Sequence, residues 1–365
     1  MAGLSKRSST GDMPNRRSVL KGAAAAGVGL SMPFVWGPSE ARAAGRIVWA
    51  TFGGTVGEAY DRIFIKPFTR ETGIEVVQTG AADLAKVKAS VMAARPEWDI
   101  LSLAPSQAVS AVQEGLLEPI DYSIISAKES DLLYPEAINK HWVSTQIYTG
   151  GIAYSTANNA IGPNSWVDFW NVEKFPGRRG LRSRPLDMLE IALLADGVPG
   201  NKVFPIDVDR AFASLDRIKP HVTNWIDTAP QSIQLVQTKE IDYSFTYHNR
   251  VAAAQAEGFP IGYSTDQLLV FLNSYAVPKG ARNAEAAMKF LNFIMTRPDL
   301  QKELWDATRL IPLSKEATAM IPDGERKRWI PDQNNGSNVV VDAEWWGAPG
   351  RLAKLTTRYQ AWLLR

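Results

Sequence analysis

The sequence predicts an α/β protein whose two lobes face each other across a hinged cleft. Short β-rich runs alternate with helical patterns twice along the chain, which is the mark of βαβ units around a largely parallel sheet. Two longer β-rich runs, at 146–154 and 268–277, have the length of extended crossovers between lobes. The 365 residues suffice for two cores, and 45% hydrophobic with 21% charged residues is an ordinary globular composition.

The first cycle starts with a strand at Ile47-Val48-Trp49, then Gly53-Gly54 and a helix carrying Tyr60, Ile63 and Phe64. A second strand at Ile74 to Val77 precedes a helix with Leu84, Val87 and Val91 on one face. Trp98 to Leu103 is a third strand, followed by Val109, Val112 and Leu116 at helical spacing. The second cycle begins after Tyr154. Leu189 to Leu193, Phe212 to Ile218 and Ile233 to Val236 mark its helices, before a strand at Tyr243 to Tyr247. The run ending at Pro278 leads into an amphipathic helix with Ala287, Phe290, Leu291 and Ile294 on one face. Pro298 suits the first turn of the next helix, and Leu352, Leu355, Tyr359 and Trp362 mark the last. The expected lobes are 44–154 with about 271–321, and 155–270 with about 322–365. Ligands of open α/β sheets bind beyond the carboxyl ends of the strands, so facing lobes place that edge in one cleft.

Residues 1–43 read as an address. Asn15-Arg16-Arg17-Ser18-Val19-Leu20-Lys21 precede an apolar run from Gly22 to Val35, too short to span a membrane, and Ala41-Arg42-Ala43 offers small residues for cleavage. The paired arginines resemble a twin-arginine export signal, with a Sec signal as the alternative. Six of the 40 basic and two of the 38 acidic residues lie in this segment, leaving a formal −2 beyond it. Such near-neutrality argues against nucleic acid as a partner, and the expected product is periplasmic, with no stable membrane insertion.

Several chemistries are excluded. The chain has no Cys, so thiolate catalysis, disulfides, Cys-ligated metals and lipid attachment at cysteine are ruled out. His141, His221 and His248 stand far apart without metal-ligand spacing, and packing or surface roles are expected for them. No cofactor or metal is expected. There is no Walker loop, no Gly-x-Ser-x-Gly elbow and no His-Glu-x-x-His. Thr51-Phe52-Gly53-Gly54 lies between a strand and a helix, where glycines let the backbone approach a ligand or simply make a tight turn.

Four blocks, in order, carry a family resemblance. Pro67 to Val76 resembles the first helix end and second strand of family-1 extracellular solute-binding proteins, and Tyr148 to Tyr154 resembles their first crossover. Pro163-Asn164-Ser165-Trp166-Val167-Asp168-Phe169-Trp170 is similar to their P-x-S-W-x-D-x-W block. Ser274 to Gly280, with Ala287 to Met295, resembles the later crossover and its helix. The chain is most similar to the spermidine/putrescine-binding branch. The resemblance implies a periplasmic-binding-protein type II fold, a monomer capturing a small solute, and a membrane permease and ATPase downstream. An exported cofactor-containing enzyme and a binding-only sensory module are the alternatives.

In that branch, rings sandwich the ligand's methylenes and acids hold its ammonium groups. The ring positions are largely kept here, as Phe52, Tyr247, Phe271 and the pair Trp345-Trp346, and Tyr148 in the first crossover is a further candidate for ligand binding. The acids are not. Leu181-Arg182-Ser183-Arg184 stands where acids are expected, Asp187 remains three residues on, and Asn273 replaces an acid in the later crossover. Arg182 and Arg184 would repel a polyamine and suit a carboxylate, while Asp187 would receive one ammonium. The expected solute is therefore polyamine-like or, better, γ-aminobutyrate-like. The competing reading makes Lys174, Arg178, Arg179, Arg182 and Arg184 one solvated basic loop, with Arg178 and Arg179 facing water.

Overall fold

The computed structural model describes residues 45–365 apart from Phe52, 159–160 and 333–334. The export segment and Phe52 thus lie outside the described residues. Among the described residues, eleven strands form two sheets: β1 Arg46–Ala50, β2 Glu75–Thr79, β3 Ile100–Leu103, β4 Gln146–Ser155, β5 Arg179–Arg182, β6 Val222–Ile226, β7 Tyr243–Tyr247, β8 Ile261–Leu272, β9 Ser274–Ala276, β10 Ile311–Pro312 and β11 Val339–Val340.

The first sheet has the order β2-β1-β3-β9, with β9 antiparallel to β3. Its centre is Trp49, fully buried, with its indole N–H on Ser102 Oγ at 2.9 Å and ring edges of Tyr60, Tyr275 and Phe290 around it. Helix Ala284–Met295 lays its apolar stripe on this sheet. The second sheet runs β11-β8-β4-β7-β5-β6, with β10 added to β4. Here the largely parallel expectation fails. β4 is antiparallel to both β7 and β8, while β5 is parallel to β6 and β7. The physical reason is the crossover: a strand arriving from the other sheet enters from the opposite end.

The chain changes sheet at two adjacent points. Residues 146–154, expected in the first lobe, hydrogen-bond throughout within the second sheet. The return run is broken at Asn273, between β8 and β9, rather than continuous over 268–277. Asn273 Oδ1 accepts the backbone N–H groups of Thr145 and Gln146, both at 3.0 Å, so one amide pins the two connections together. The Ser165 block also gains a physical meaning. Ser165 caps helix Trp166–Trp170 by accepting from Asp168 N–H, and the buried Trp166 indole N–H reaches Gln267 O at 3.1 Å.

Candidate functional site

The parallel strands β5, β6 and β7 end on one edge, at Arg182, Ile226 and Tyr247. Because β4 and β8 run past that edge, Tyr148 and Phe271 pair there beside Tyr247. The first sheet contributes the residues after β3. Ala104, Pro105 and Ser106 open helix Pro105–Gln113, and together these groups, with Arg184 and Trp346, enclose a cavity of about 90 Å³. A single water needs only ~10–15 Å³ on this measure, so there is room for a small organic molecule.

Three rings form a box. Tyr148 stacks on Phe271 with centroids 4.9 Å apart and planes 7° from parallel, and Tyr247 stands edge-on to both at 5.5 and 6.0 Å. Burial pushes both tyrosine hydroxyls well above their ordinary range, reinforced by the Asp187 charge, so they stay neutral donors. Trp346 supplies a fourth wall, and its indole N–H is held by the buried Glu190 carboxyl at 2.6 Å.

Arg184 is the polar feature of this wall. Its Nη2 donates to Asp187 Oδ2 at 2.5 Å and to the Tyr247 hydroxyl at 2.8 Å, and its Nε reaches the same carboxylate oxygen at 3.1 Å. Nη1 makes no hydrogen bond among the described residues. Asp187 itself is fully buried and sits at φ +79°, in the left-handed region, before helix 188–195 settles. Such a conformation costs a non-glycine about 1–3 kcal/mol, so it persists only because its surroundings hold it. Burial raises the Asp187 carboxyl and Arg184 pulls it back, while Asp187 holds the Arg184 guanidinium above its ordinary value against its own desolvation.

Four of the expected site residues therefore meet in one cavity: Tyr148, Arg184, Tyr247 and Phe271. Asp187 lies behind Arg184 with Oδ1 buried and unpaired. Arg182 is 3% exposed at the end of β5 and lies outside the lining. Thr51 is buried and bonds β2 through its N–H, while Gly53 and Gly54 take φ of +65° and +60° in open space beside the helix they start. Asn273 is a crossover pin, as described above. Trp345 faces a different groove, under the Arg351 guanidinium at 4.5 Å, and its neighbour Trp346 lines the cavity instead. The solvated-loop reading fails for Arg179. It is 1% exposed and donates to the carbonyls of Phe169, Gly177 and Phe175. Ser106 and Val341 were not signalled by any sequence pattern; only the fold brings them here.

Helix Ala343–Gly347 leaves the second sheet after β11 and packs on helix Pro105–Gln113. A side chain at Gly347 would put its Cβ 2.4 Å from Val109 Cβ and 3.1 Å from Ser106 O. Gly347→Val is therefore expected to hold the lobes apart, weakening solute binding by about tenfold or more. Calorimetry, with small-angle scattering to follow closure, checks this; unchanged affinity would mean the contact does not gate the cleft.

A cavity walled by rings and one tethered guanidinium is shaped to hold a small molecule. This is the construction of a solute-binding protein. The chain belongs to the family of bacterial extracellular solute-binding proteins, whose family model matches residues 64–329. It is a family-1 solute-binding protein of the ABC-transporter type, not an enzyme. It is 33% identical over 323 residues to the gamma-aminobutyric acid-binding protein of Pseudomonas aeruginosa, covering 86% of this chain and 90% of that one. It is 25% identical over 294 residues to the spermidine/putrescine-binding periplasmic protein of Escherichia coli, covering 77% and 80%. A solved GABA receptor structure superposes with a TM-score of 0.78 at 32% identity, covering 87% of this chain and 97% of that one. Among the described residues, no helix is long and apolar enough to cross a membrane.

Proposed function

We propose that this chain captures a small carboxylate-bearing solute of the γ-aminobutyrate kind in the periplasm and delivers it to a membrane permease driven by an ATPase. One observation carries the reading: Arg184 is fixed by Asp187 and Tyr247 at the cavity wall with Nη1 left over for an acid group. A charge-assisted bond of this kind contributes ~1.5–3 kcal/mol, and the ring box accepts a short methylene chain. Polyamines fit poorly, because the acid they need is already paired with Arg184. The relatives that bind γ-aminobutyrate and polyamines support the solute's size class. Residues 1–43 act as a cleaved twin-arginine-type signal, and the mature chain works as a monomer whose lobes meet at residues 145–146 and 273.

Calorimetry with γ-aminobutyrate, putrescine and spermidine tests the proposal. A micromolar dissociation constant for the carboxylate, about −8 kcal/mol, is expected, with polyamines much weaker. Tight putrescine binding with no response to carboxylates would overturn it.

A further inference from the structure

Two walls of the cavity are braced from behind by one helix. Asp187 and Glu190 lie about one turn apart where the helix 188–195 begins, and both are fully buried. The first holds Arg184, and the second holds Trp346, whose indole N–H donates to Glu190 Oε1 at 2.6 Å. Arg184 and Trp346 line the cavity, while neither carboxyl does.

Glu190 is an unfavourable choice for that bond if the bond serves the core alone. Its Oε2 is buried without a partner among the described residues, and burial raises the carboxyl to about 8, so it stands protonated at neutral pH. Neutral acceptors suffice elsewhere. Among the four fully buried tryptophans, Trp49 donates to the Ser102 hydroxyl at 2.9 Å and Trp166 to the Gln267 carbonyl at 3.1 Å. The Trp305 indole has no acceptor among the described residues. A buried acid with one oxygen unanswered, present only behind Trp346, reflects a demand of the site.

That demand is position. Trp346 sits on helix Ala343–Gly347, which at five residues is too short to hold its place by its own backbone bonds. Before it, β11 joins the second sheet and Asp342 caps it by accepting the Trp345 N–H at 2.8 Å. Its far end, at Gly347, lies against Val109 and Ser106 of helix Pro105–Gln113, which follows β3 of the first sheet. The bond to Glu190 is what ties this end back to the second lobe.

We infer that Glu190 is a positioning residue for solute capture: it locks the Trp346 ring against the cavity and so fixes the platform on which helix Pro105–Gln113 seats. This deepens the reading above and rests on it for the cavity being the solute site.

Calorimetry with γ-aminobutyrate on single and paired variants tests the inference. Glu190→Gln keeps an acceptor for the indole and should bind within about twofold of wild type, whereas Glu190→Leu removes it and should bind about tenfold more weakly. Circular dichroism confirms the fold of each. In a Trp346→Phe background, which keeps a ring but has no N–H, adding Glu190→Leu should weaken binding by less than about twofold, because the bond is already gone. A second readout needs no solute. The indole proton resonance of Trp346, assigned by its loss in Trp346→Phe, should shift in Glu190→Leu and hold in Glu190→Gln. Unchanged affinity in Glu190→Leu, equal losses from it in both backgrounds, equal losses for Gln and Leu, or a resonance indifferent to residue 190 would overturn the inference. Failure of γ-aminobutyrate to bind the wild-type protein would overturn the solute reading alone, since the resonance still decides the anchor.

Discussion

Arg184→Ala should lose solute binding by about a hundredfold (~2.7 kcal/mol) and lower the protein's stability by about 3 kcal/mol. The binding loss follows from removing the one cation fixed at the cavity wall. The stability loss has a different origin. Asp187 is fully buried, and its paired oxygen takes two bonds from Arg184, with the Tyr247 hydroxyl a long 3.4 Å away. Deleting the cation leaves a carboxylate stranded in an apolar surround, which costs ~3–5 kcal/mol in comparable pairs; the lower end applies because 41% of the Arg184 side chain is exposed. Adding Asp187→Asn should return most of the stability, since Asn is neutral and tolerates positive φ, yet leave binding lost. Urea denaturation with calorimetry separates the two effects. If the single variant kept full stability, Asp187 would already be protonated in the native protein, and the ion-pair account would fail.

Much of this architecture was legible because periodicity reports burial. β7 at Tyr243–Tyr247 matches its β-rich run to the residue, and helix Ala284–Met295 follows its apolar stripe. The crossover was harder. From the pattern, 268–277 is one continuous strand, because a buried Asn inside a β-rich run carries no sign that it clamps two backbones. Nor does pattern reveal direction, so the antiparallel insertion of β4 was out of reach. At the site, the rings and Arg184 were readable through the resemblance to the polyamine-binding branch, which points to those positions. Two things were not. Arg179 hides its charge in three carbonyls that lie two to ten positions before it and that a loop folds back onto its guanidinium, and Trp346 and Trp345 are adjacent and indistinguishable until helix Ala343–Gly347 is placed. Each is a matter of which way a side chain turns, and tertiary packing decides that.

The stability of the wild-type protein should fall by about 1 kcal/mol between pH 6.5 and 8, and Glu190→Gln should abolish that fall. Glu190 is fully buried, with one oxygen on the Trp346 indole N–H and the other without a partner; burial, reinforced by Asp187, raises its carboxyl to about 8. A raised carboxyl binds its proton more tightly in the native state, so its contribution is complete below the unfolded value of 4.5 and is lost as pH rises through about 8. His248 works in the opposite sense. It is buried and neutral, accepting the Thr149 N–H at Nδ1 and donating from Nε2 to the Arg309 carbonyl, and burial lowers it to about 4. Its contribution is complete above 6.5 and is lost as pH falls toward 4. Between 4.5 and 6.5 the two slopes nearly cancel, at ~1.4 kcal/mol per pH unit each, and above 6.5 only the Glu190 loss remains. In Glu190→Gln the amide oxygen still accepts from Trp346, so the cavity wall should stay in place while stability climbs to pH 6.5 and then levels. Chemical denaturation of both proteins across pH 4.5–8.5 reads the difference directly, because the remaining groups are common to both. Parallel curves would mean that Glu190 is ionised in the native state, with water reaching the oxygen that has no protein partner.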